Sequence, residues 1–150
     1  MSALIMGWNR DKWDRWEPSY EDIVASLQDP DARYRTRWSV GGRREVAIGT
    51  DAWLLRQGRV RGLIGHGRVL SEPVEDVHFT DPRKTRRYVL VEFDGLLDET
   101  DVIPPEVLRM VVPEVAWHAQ YQSGNSVPPV AEERLARLWE EITGRTVPAA

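Results

Sequence analysis

A chain of 150 residues, 41% hydrophobic and 29% charged, is long enough for one domain with a buried core, and this balance argues against disorder. The sequence contains no cysteine, which excludes disulfides and thiolate metal sites and fits a cytoplasmic protein. It has no apolar run long enough to span a membrane and no basic segment before its first apolar residues, so we expect neither a transmembrane helix nor a signal peptide.

The first half of the chain is predicted to contain one helix among several strands. Ser19 and Asp22 form a capping-box-like start for a helix over 19–28, whose apolar residues share one face. From residue 33 polar and apolar residues alternate, which is typical of a strand with one polar face, and a glycine turn follows at 41–42. The strands predicted in this half cover residues 3–8, 33–38, 52–57 and 62–70, with a hairpin loop at 58–61.

The second half is predicted to contain more loop. Residues 72–86 are polar and contain two prolines, and residues 117–129 are too irregular for regular structure, so we expect a long loop at each place. The last helix places Trp139 among apolar residues at helical spacing, which predicts that this ring lies in the core. The remaining predicted elements are a strand over 87–94, a helix over 104–112, a helix over 130–143 ended by Gly144, and a tail or linker start over 145–150.

The predicted elements define a fold class. Five or six strands with helices near the chain ends and no alternation of strand and helix predict an α+β fold in a single domain over residues 1–144. A small, mostly antiparallel β-barrel suits this pattern, because closure removes exposed sheet edges.

Charge and tryptophan are distributed unevenly. Residues 33–68 contain nine arginines and two acidic residues, whereas residues 1–32 contain three basic and seven acidic ones. A basic stripe on an acidic chain is either a footprint for phosphates or an exposed face whose arginines pair with acids, and both readings stay open. Seven tryptophans indicate a binding surface as well as a core. The residues predicted to contact phosphates are Arg37, Arg43, Arg44, Arg83, Lys84, Arg86 and Arg87.

No motif in the sequence supports catalysis. There is no phosphate-binding glycine loop, dinucleotide fingerprint or nucleophile-elbow serine. The histidines His66, His78 and His118 lack the spacing of metal ligands. We therefore expect a binding domain without a catalytic residue, metal or cofactor.

The order of several short motifs resembles a known family. The resemblance extends over about residues 4–142 and links this chain to the EVE and YTH branch of the PUA superfamily. It is most similar to EVE-like domains at the N-terminus of HNH-type modification-dependent restriction endonucleases. The motifs are Gly7-Trp8-Asn9, Thr36-Arg37-Trp38-Ser39-Val40-Gly41, Leu54-Leu55 with Gly62 and Gly67, the strand from Tyr88 to Phe93, and Gln122-Ser123-Gly124 with Val127-Pro128.

The resemblance implies a PUA-like fold that flips a modified base into an aromatic pocket. In YTH relatives a Trp-Ser pair supplies one wall, which corresponds to Trp38 and Ser39. Phe79 stands where a second wall is expected, although a tryptophan is usual there. The base pocket predicted in this way comprises Trp8, Asn9, Trp38, Ser39, His78, Phe79, Trp117, Tyr121, Gln122 and Ser123.

The leading hypothesis is a DNA-binding reader of a modified base, with 5-methylcytosine favoured, serving as the recognition module of a modification-dependent restriction system. Its expected partners are modified DNA and, in a longer native protein, a C-terminal nuclease domain. The alternatives are an RNA-binding PUA-type module, which would read single strands by stacking, and a protein–protein interaction domain with exposed tryptophans as hot spots.

Overall fold

The computed structural model describes residues 2–78, 80–120 and 123–148. Within these ranges seven strands form one mixed sheet, accompanied by three α-helices, and the predicted α+β class is confirmed. The strands are β1 (Ala3–Asn9), β2 (Tyr34–Ser39), β3 (Asp51–Gln57), β4 (Gly62–Val69), β5 (Val74–Val77), β6 (Thr85–Leu96) and β7 (Asn125–Ser126). The helices are α1 (Tyr20–Ser26), α2 (Pro105–Val111) and α3 (Pro129–Thr143).

The sheet has the strand order β2-β6-β4-β3-β1-β7, with β5 paired to β6 beside this path. The pairs formed by the described strands are antiparallel except for β1 and β3. These two strands run in the same direction with Asn9 opposite Gln57. Their carboxyl ends therefore lie side by side at one end of the sheet.

The sheet curves until strand β2 faces strand β1, and side chains bridge the gap between them. The indole Nε1 of Trp38 donates to the carbonyl of Gly7 at 3.1 Å. Ser123 completes the bridge, because its hydroxyl donates to the Ser39 carbonyl at 2.5 Å and accepts from the Gly7 N–H at 3.1 Å. The result is a barrel-like sheet whose β1–β2 gap is closed by individual side-chain bonds instead of a backbone ladder in the described part of the chain.

Each face of the sheet buries its own hydrophobic core. On one face Trp16 and Tyr20 lie at the centre of a core that α1 covers. On the other face Trp53 packs against Trp139 of α3, with 5.7 Å between ring centroids. Trp139 is fully buried, which confirms its predicted core position.

Helix α1 shows how local sequence sets an element. The Ser19 hydroxyl accepts from the Asp22 N–H at 3.1 Å and so satisfies one of the open donors at the helix start. The apolar residues Ile23, Val24 and Leu27 are buried on one face. The predicted cap and the predicted apolar face are both confirmed.

The two predicted long loops contain short regular elements. Within residues 72–86, β5 pairs with the first residues of β6 and forms a hairpin. The loop prediction was wrong here. All four β5 residues are exposed, so no buried face requires apolar and polar residues to alternate along the sequence. Within 117–129 the structure has a 3-10 turn at Trp117–Ala119 and the two-residue strand β7.

None of the helices among the described residues is long and apolar enough to cross a membrane.

Gly124 fixes the loop that carries Ser123 to the sheet. It has φ +101°, and a Cβ at this position would lie 2.3 Å from the Val40 carbonyl oxygen. We expect Gly124→Ala to lower the free energy of unfolding by about 1–3 kcal/mol, because the substitution combines backbone strain with a clash. Thermal or urea unfolding measures the loss. The matched control is Gly42→Ala, where a Cβ meets no atom within 4 Å, and an equal loss in both variants would contradict this account.

Candidate functional site

A cavity of about 520 Å³ opens beside the gap between β2 and β1. It exists because backbone pairing stops short of full closure there, and only the Trp38 and Ser123 bonds span the gap among the described residues. The β5–β6 hairpin supplies its outer rim. The cavity is lined by Gly7, Trp8, Asn9, Lys12, Trp13, Thr36, Arg37, Trp38, Ser39, Gly41, Gln57, Asp76, Val77, His78, Thr80, Arg86, Tyr88 and Ser123.

Three aromatic side chains form its apolar walls. Trp38 is only 7% exposed, with its ring continuing into the core. Trp13 is half-buried and meets the Trp38 ring edge-to-face, with 4.9 Å between centroids. Tyr88 lies across β2 and donates its hydroxyl to the Val77 carbonyl at 3.1 Å. Flat apolar rings in the lining suit a planar ligand that stacks.

Polar side chains line the cavity where β1 and β3 finish. Asn9 accepts from the Asp11 N–H through its Oδ1 at 3.0 Å, which fixes the orientation of its amide. Gln57 donates to the Gln120 carbonyl and thereby ties the strand end to the following loop. An amide offers both donors and an acceptor. These two side chains can therefore match the mixed hydrogen-bonding edge of a heterocycle.

The rim carries charged groups, of which Arg37 and Asp76 pair with each other. Arg37 bonds Asp76 at 2.9 Å, and its guanidinium lies 4.7 Å from the centre of the Tyr88 ring. The pKa of Asp76 is lowered, first by the Val77 backbone N–H and then by Arg37, so its carboxylate is ionised at neutral pH. Desolvation, followed by the charges of Arg86 and Lys84, lowers the pKa of His78. Its imidazole is therefore neutral near pH 7.

Solved structures share this architecture at low sequence identity. A hypothetical protein from Leishmania major matches with a TM-score of 0.64 and 13% identity, over 95% of this chain and 97% of that one. Human THYN1, solved in complex with DNA containing 5-methylcytosine, gives 0.55 and 15%, over 95% and 98%. The YTH domain-containing protein mmi1, solved with RNA, gives 0.55 and 12%, over 96% and 87%. The fold is PUA-like, of the EVE and YTH type.

The likeness between these chains is one of fold. No family model and no curated protein matches the sequence. The ordered motifs of the sequence therefore predicted a PUA-like fold that pairwise sequence similarity does not reveal.

The PUA-like fold gathers part of the predicted base pocket at the cavity. Ser39 lies on its rim, where its hydroxyl accepts from the Gly41 N–H at 3.1 Å. Trp8 lines the cavity only from behind, because it is 1% exposed and donates its Nε1 to the Trp13 carbonyl. The predicted pocket residues that line the cavity are Trp8, Asn9, Trp38, Ser39, His78 and Ser123. Phe79, Tyr121 and Gln122 lie outside the described residues.

Trp117, which the resemblance placed in the base pocket, does not line this first cavity and borders a second one instead. Its ring is 4% exposed in the core beneath α2 and α3, and its Nε1 donates to the Val112 carbonyl at 2.9 Å. That bond satisfies the indole N–H inside the core.

Sequence reasoning missed Trp13, Gln57 and Tyr88 as cavity residues. Trp13 stands in a charged stretch where an apolar ring has no core partners along the chain, and that isolation was an available signal. Gln57 and Tyr88 gave none. They reach the cavity only because β3 ends beside β1 and β6 pairs with β2.

The predicted phosphate contacts do not form one surface on the PUA-like fold. Arg37 and Arg86 line the cavity, whereas Arg43 and Arg44 line a separate groove of about 720 Å³. Arg87 pairs with Glu75 at 3.5 Å. Arg83 and Lys84 are exposed at the hairpin tip, where Arg83 bonds Asp81 at 3.1 Å.

Two arginines of the basic stripe lie beside acidic residues of the protein itself. Arg56 is 6% exposed and pairs with Glu99, and Arg68 lies 3.5 Å from Asp51. The net charge of residues 33–68 therefore overstates the charge available to a ligand. Within residues 2–78, 80–120 and 123–148, no three His, Asp or Glu side chains are placed to hold a metal ion.

Proposed function

We propose that this protein reads a modified base in nucleic acid, with 5-methylcytosine in DNA favoured, by holding the flipped base in the 520 Å³ cavity. The observation that carries the proposal is an aromatic-walled cavity with amide side chains in its lining, beside the β1–β2 gap of a PUA-like sheet. Flipping a base costs a few kcal/mol. Stacking returns roughly 1–3 kcal/mol per base, so stacking on a ring of the cavity together with polar contacts offsets that cost.

The chemistry of cytosine suits the groups in the cavity. Cytosine presents an exocyclic amino donor, which carboxylates accept in protein–DNA complexes. Asp76 is ionised at the rim, and the amides of Asn9 and Gln57 add acceptors and donors. A methyl group at C5 is apolar and gains from contact with the Trp13 or Trp38 ring. The human THYN1 complex with 5-methylcytosine DNA supports the choice of ligand.

The decisive variant is Trp13→Ala, because Trp13 is the half-buried ring of the cavity. We expect wild-type protein to prefer an oligonucleotide with one 5-methylcytosine over its unmodified twin. Trp13→Ala should weaken binding of the modified strand by about tenfold or more, through loss of stacking. Binding of the unmodified strand should change little. Fluorescence anisotropy with both oligonucleotides measures the two affinities.

Trp13→Phe is the matched control, since it retains a ring and should retain part of the discrimination. Unfolding curves establish that both variants are folded. Equal affinity of wild-type protein for modified and unmodified strands would refute the proposal, and unchanged discrimination in Trp13→Ala would remove Trp13 from the site.

RNA is the second candidate ligand, favoured by the mmi1 complex with RNA. The same cavity would hold a base from a single strand, as RNA readers do by stacking. A parallel titration with single-stranded RNA carrying a methylated base separates the two. Tighter binding to this RNA than to any DNA would favour the RNA module.

The link to a modification-dependent restriction system rests on the motif resemblance alone. It proposes that a C-terminal nuclease domain acts together with this reader. The native gene product tests the idea directly, because an HNH-like stretch after Ala150 would support it and its absence from the full-length product would refute it.

A further inference from the structure

A second cavity of about 400 Å³ adjoins the first one. The two share Asn9, Lys12 and Gln57 among their lining residues. This follows from the parallel pairing of β1 and β3, whose last residues, Asn9 and Gln57, stand side by side as the partition. The turn between β3 and β4, the start of α2 and the turn at 117–119 form its other walls.

The second cavity is strongly basic at its rim. Lys12, Arg61, Arg109 and His118 line it and are exposed. The acidic residue among its described lining is Glu106, 4.0 Å from Arg109. Within residues 2–78, 80–120 and 123–148, the side chains of Lys12 and Arg61 form no ion pair or hydrogen bond, in contrast to Arg37 of the first cavity, which pairs with Asp76. The positive charge here is available to a ligand.

We infer that this second cavity, which we name the basic cleft, binds the phosphodiester backbone on one side of the base held in the first cavity. The inference rests on the proposed function, because it needs a strand that delivers its base next door. Lys12 lines both cavities and would contact the phosphate nearest the flipped nucleotide. Phosphates bind exposed cations without reading sequence, which fits a cleft whose rim is charged and whose walls are mixed.

The basic cleft and the β5–β6 hairpin offer the strand two separate groups of cations. Arg86 lines the first cavity from the β5–β6 hairpin, whose Arg83 and Lys84 are exposed, and none of these three residues lines the basic cleft. A strand that places its base between the two groups has the hairpin on one flank and the basic cleft on the other. Contacts on the two flanks are therefore separable by changing where the modified base stands in the oligonucleotide.

The test uses the double variant Arg61→Gln/Arg109→Gln. For an oligonucleotide with a central 5-methylcytosine we expect binding roughly tenfold weaker at about 50 mM salt, and a salt slope lower by about 1–2, because two phosphate contacts are lost. Binding of the free nucleoside 5-methyl-2′-deoxycytidine, which has no phosphate, should be unchanged. The control Arg137→Gln removes an exposed helical arginine 3.9 Å from Glu133, a pairing like that of Arg109, and should bind both ligands as wild type does.

A second pair of oligonucleotides, with 5-methylcytosine at the 5′ or the 3′ end, locates the flank. The double variant should bind only one of these two oligonucleotides more weakly.

Unchanged affinity and salt slope in the double variant would overturn the basic cleft while leaving base reading intact. Equal binding of modified and unmodified strands by wild-type protein would refute base reading, yet a reduced slope in the double variant would still support a phosphate site. If wild-type protein binds no strand at all, both proposals are overturned. If inorganic phosphate displaces the oligonucleotide as effectively as an unlabelled strand does, the cleft is only a site for free phosphate.

Discussion

Trp38→Ala is expected to lower the free energy of unfolding by about 3–5 kcal/mol, the usual cost of removing a large buried ring. The side chain is 7% exposed, and its ring lies 5.2 Å from Trp16 and 6.1 Å from Phe93 between centroids. The variant also loses the bond from the indole to the Gly7 carbonyl, which holds the β1–β2 gap together. Urea unfolding measures the loss, and every ligand should bind more weakly as the folded fraction falls.

Trp38→Phe separates the two contributions of this residue. It retains a ring in the core but cannot donate to Gly7, so its stability loss should be clearly smaller than that of the alanine variant. A loss below about 1 kcal/mol in Trp38→Ala would contradict the core assignment. Because Trp38 is both core and cavity wall, base reading is better tested at Trp13.

The double role of Trp38 illustrates what the sequence could predict. Alternation along β2 predicted that Tyr34, Thr36 and Trp38 share one face, and all three are less exposed than the arginines between them. The Ser19 cap and the apolar face of α1 were equally local signals. Periodicity and capping depend on neighbouring residues, so a single sequence contains them in full.

The features that the sequence did not predict depend on contacts between distant segments. Strand β5 is exposed throughout and exists because it pairs with β6. Trp117 lies in a core formed by distant segments, where its indole N–H donates to the Val112 carbonyl. Part of the positive charge of the basic stripe is neutralised by acidic residues far along the chain, as in the ion pair of Arg56 with Glu99. Only the tertiary structure decides which charges remain for a ligand.

The same principle accounts for His66, which the sequence showed as an isolated histidine. It is fully buried on β4 between two carboxylates, with Nε2 2.8 Å from Asp51 and Nδ1 2.9 Å from Asp94. Both nitrogens face carboxylates, an arrangement that favours the imidazolium, which can donate to each. Arg68 lies 3.5 Å from Asp51, and Arg145 donates to the Asp94 carbonyl at 3.0 Å. The cluster ties β3, β4 and β6 together beneath the sheet.

Removing the cation from this cluster should be costly. His66→Gln leaves two partly buried carboxylates without their shared imidazolium, and we expect a loss of about 3–5 kcal/mol in the free energy of unfolding. The control His118→Gln changes an exposed histidine and should unfold as wild type does. A loss in His66→Gln no larger than in the control would show that the cluster contributes nothing to stability.

The pH dependence of unfolding tests the charge of His66 itself. Burial disfavours the imidazolium and is the largest single influence, but hydrogen bonds and charges from Asp51 and Asp94 together outweigh it and raise the pKa of His66 above 6.5. A raised pKa in the folded state stabilises the protein fully below the unfolded value of about 6.5, and this stabilisation is lost as pH rises through the folded value. The free energy of unfolding should therefore fall over this range by about 1.4 kcal/mol for each unit of elevation. Urea unfolding of wild type and His66→Gln between about pH 5 and 9 isolates the effect, because the fall in the free energy of unfolding should disappear in the variant. An identical fall in both proteins would show that another group titrates.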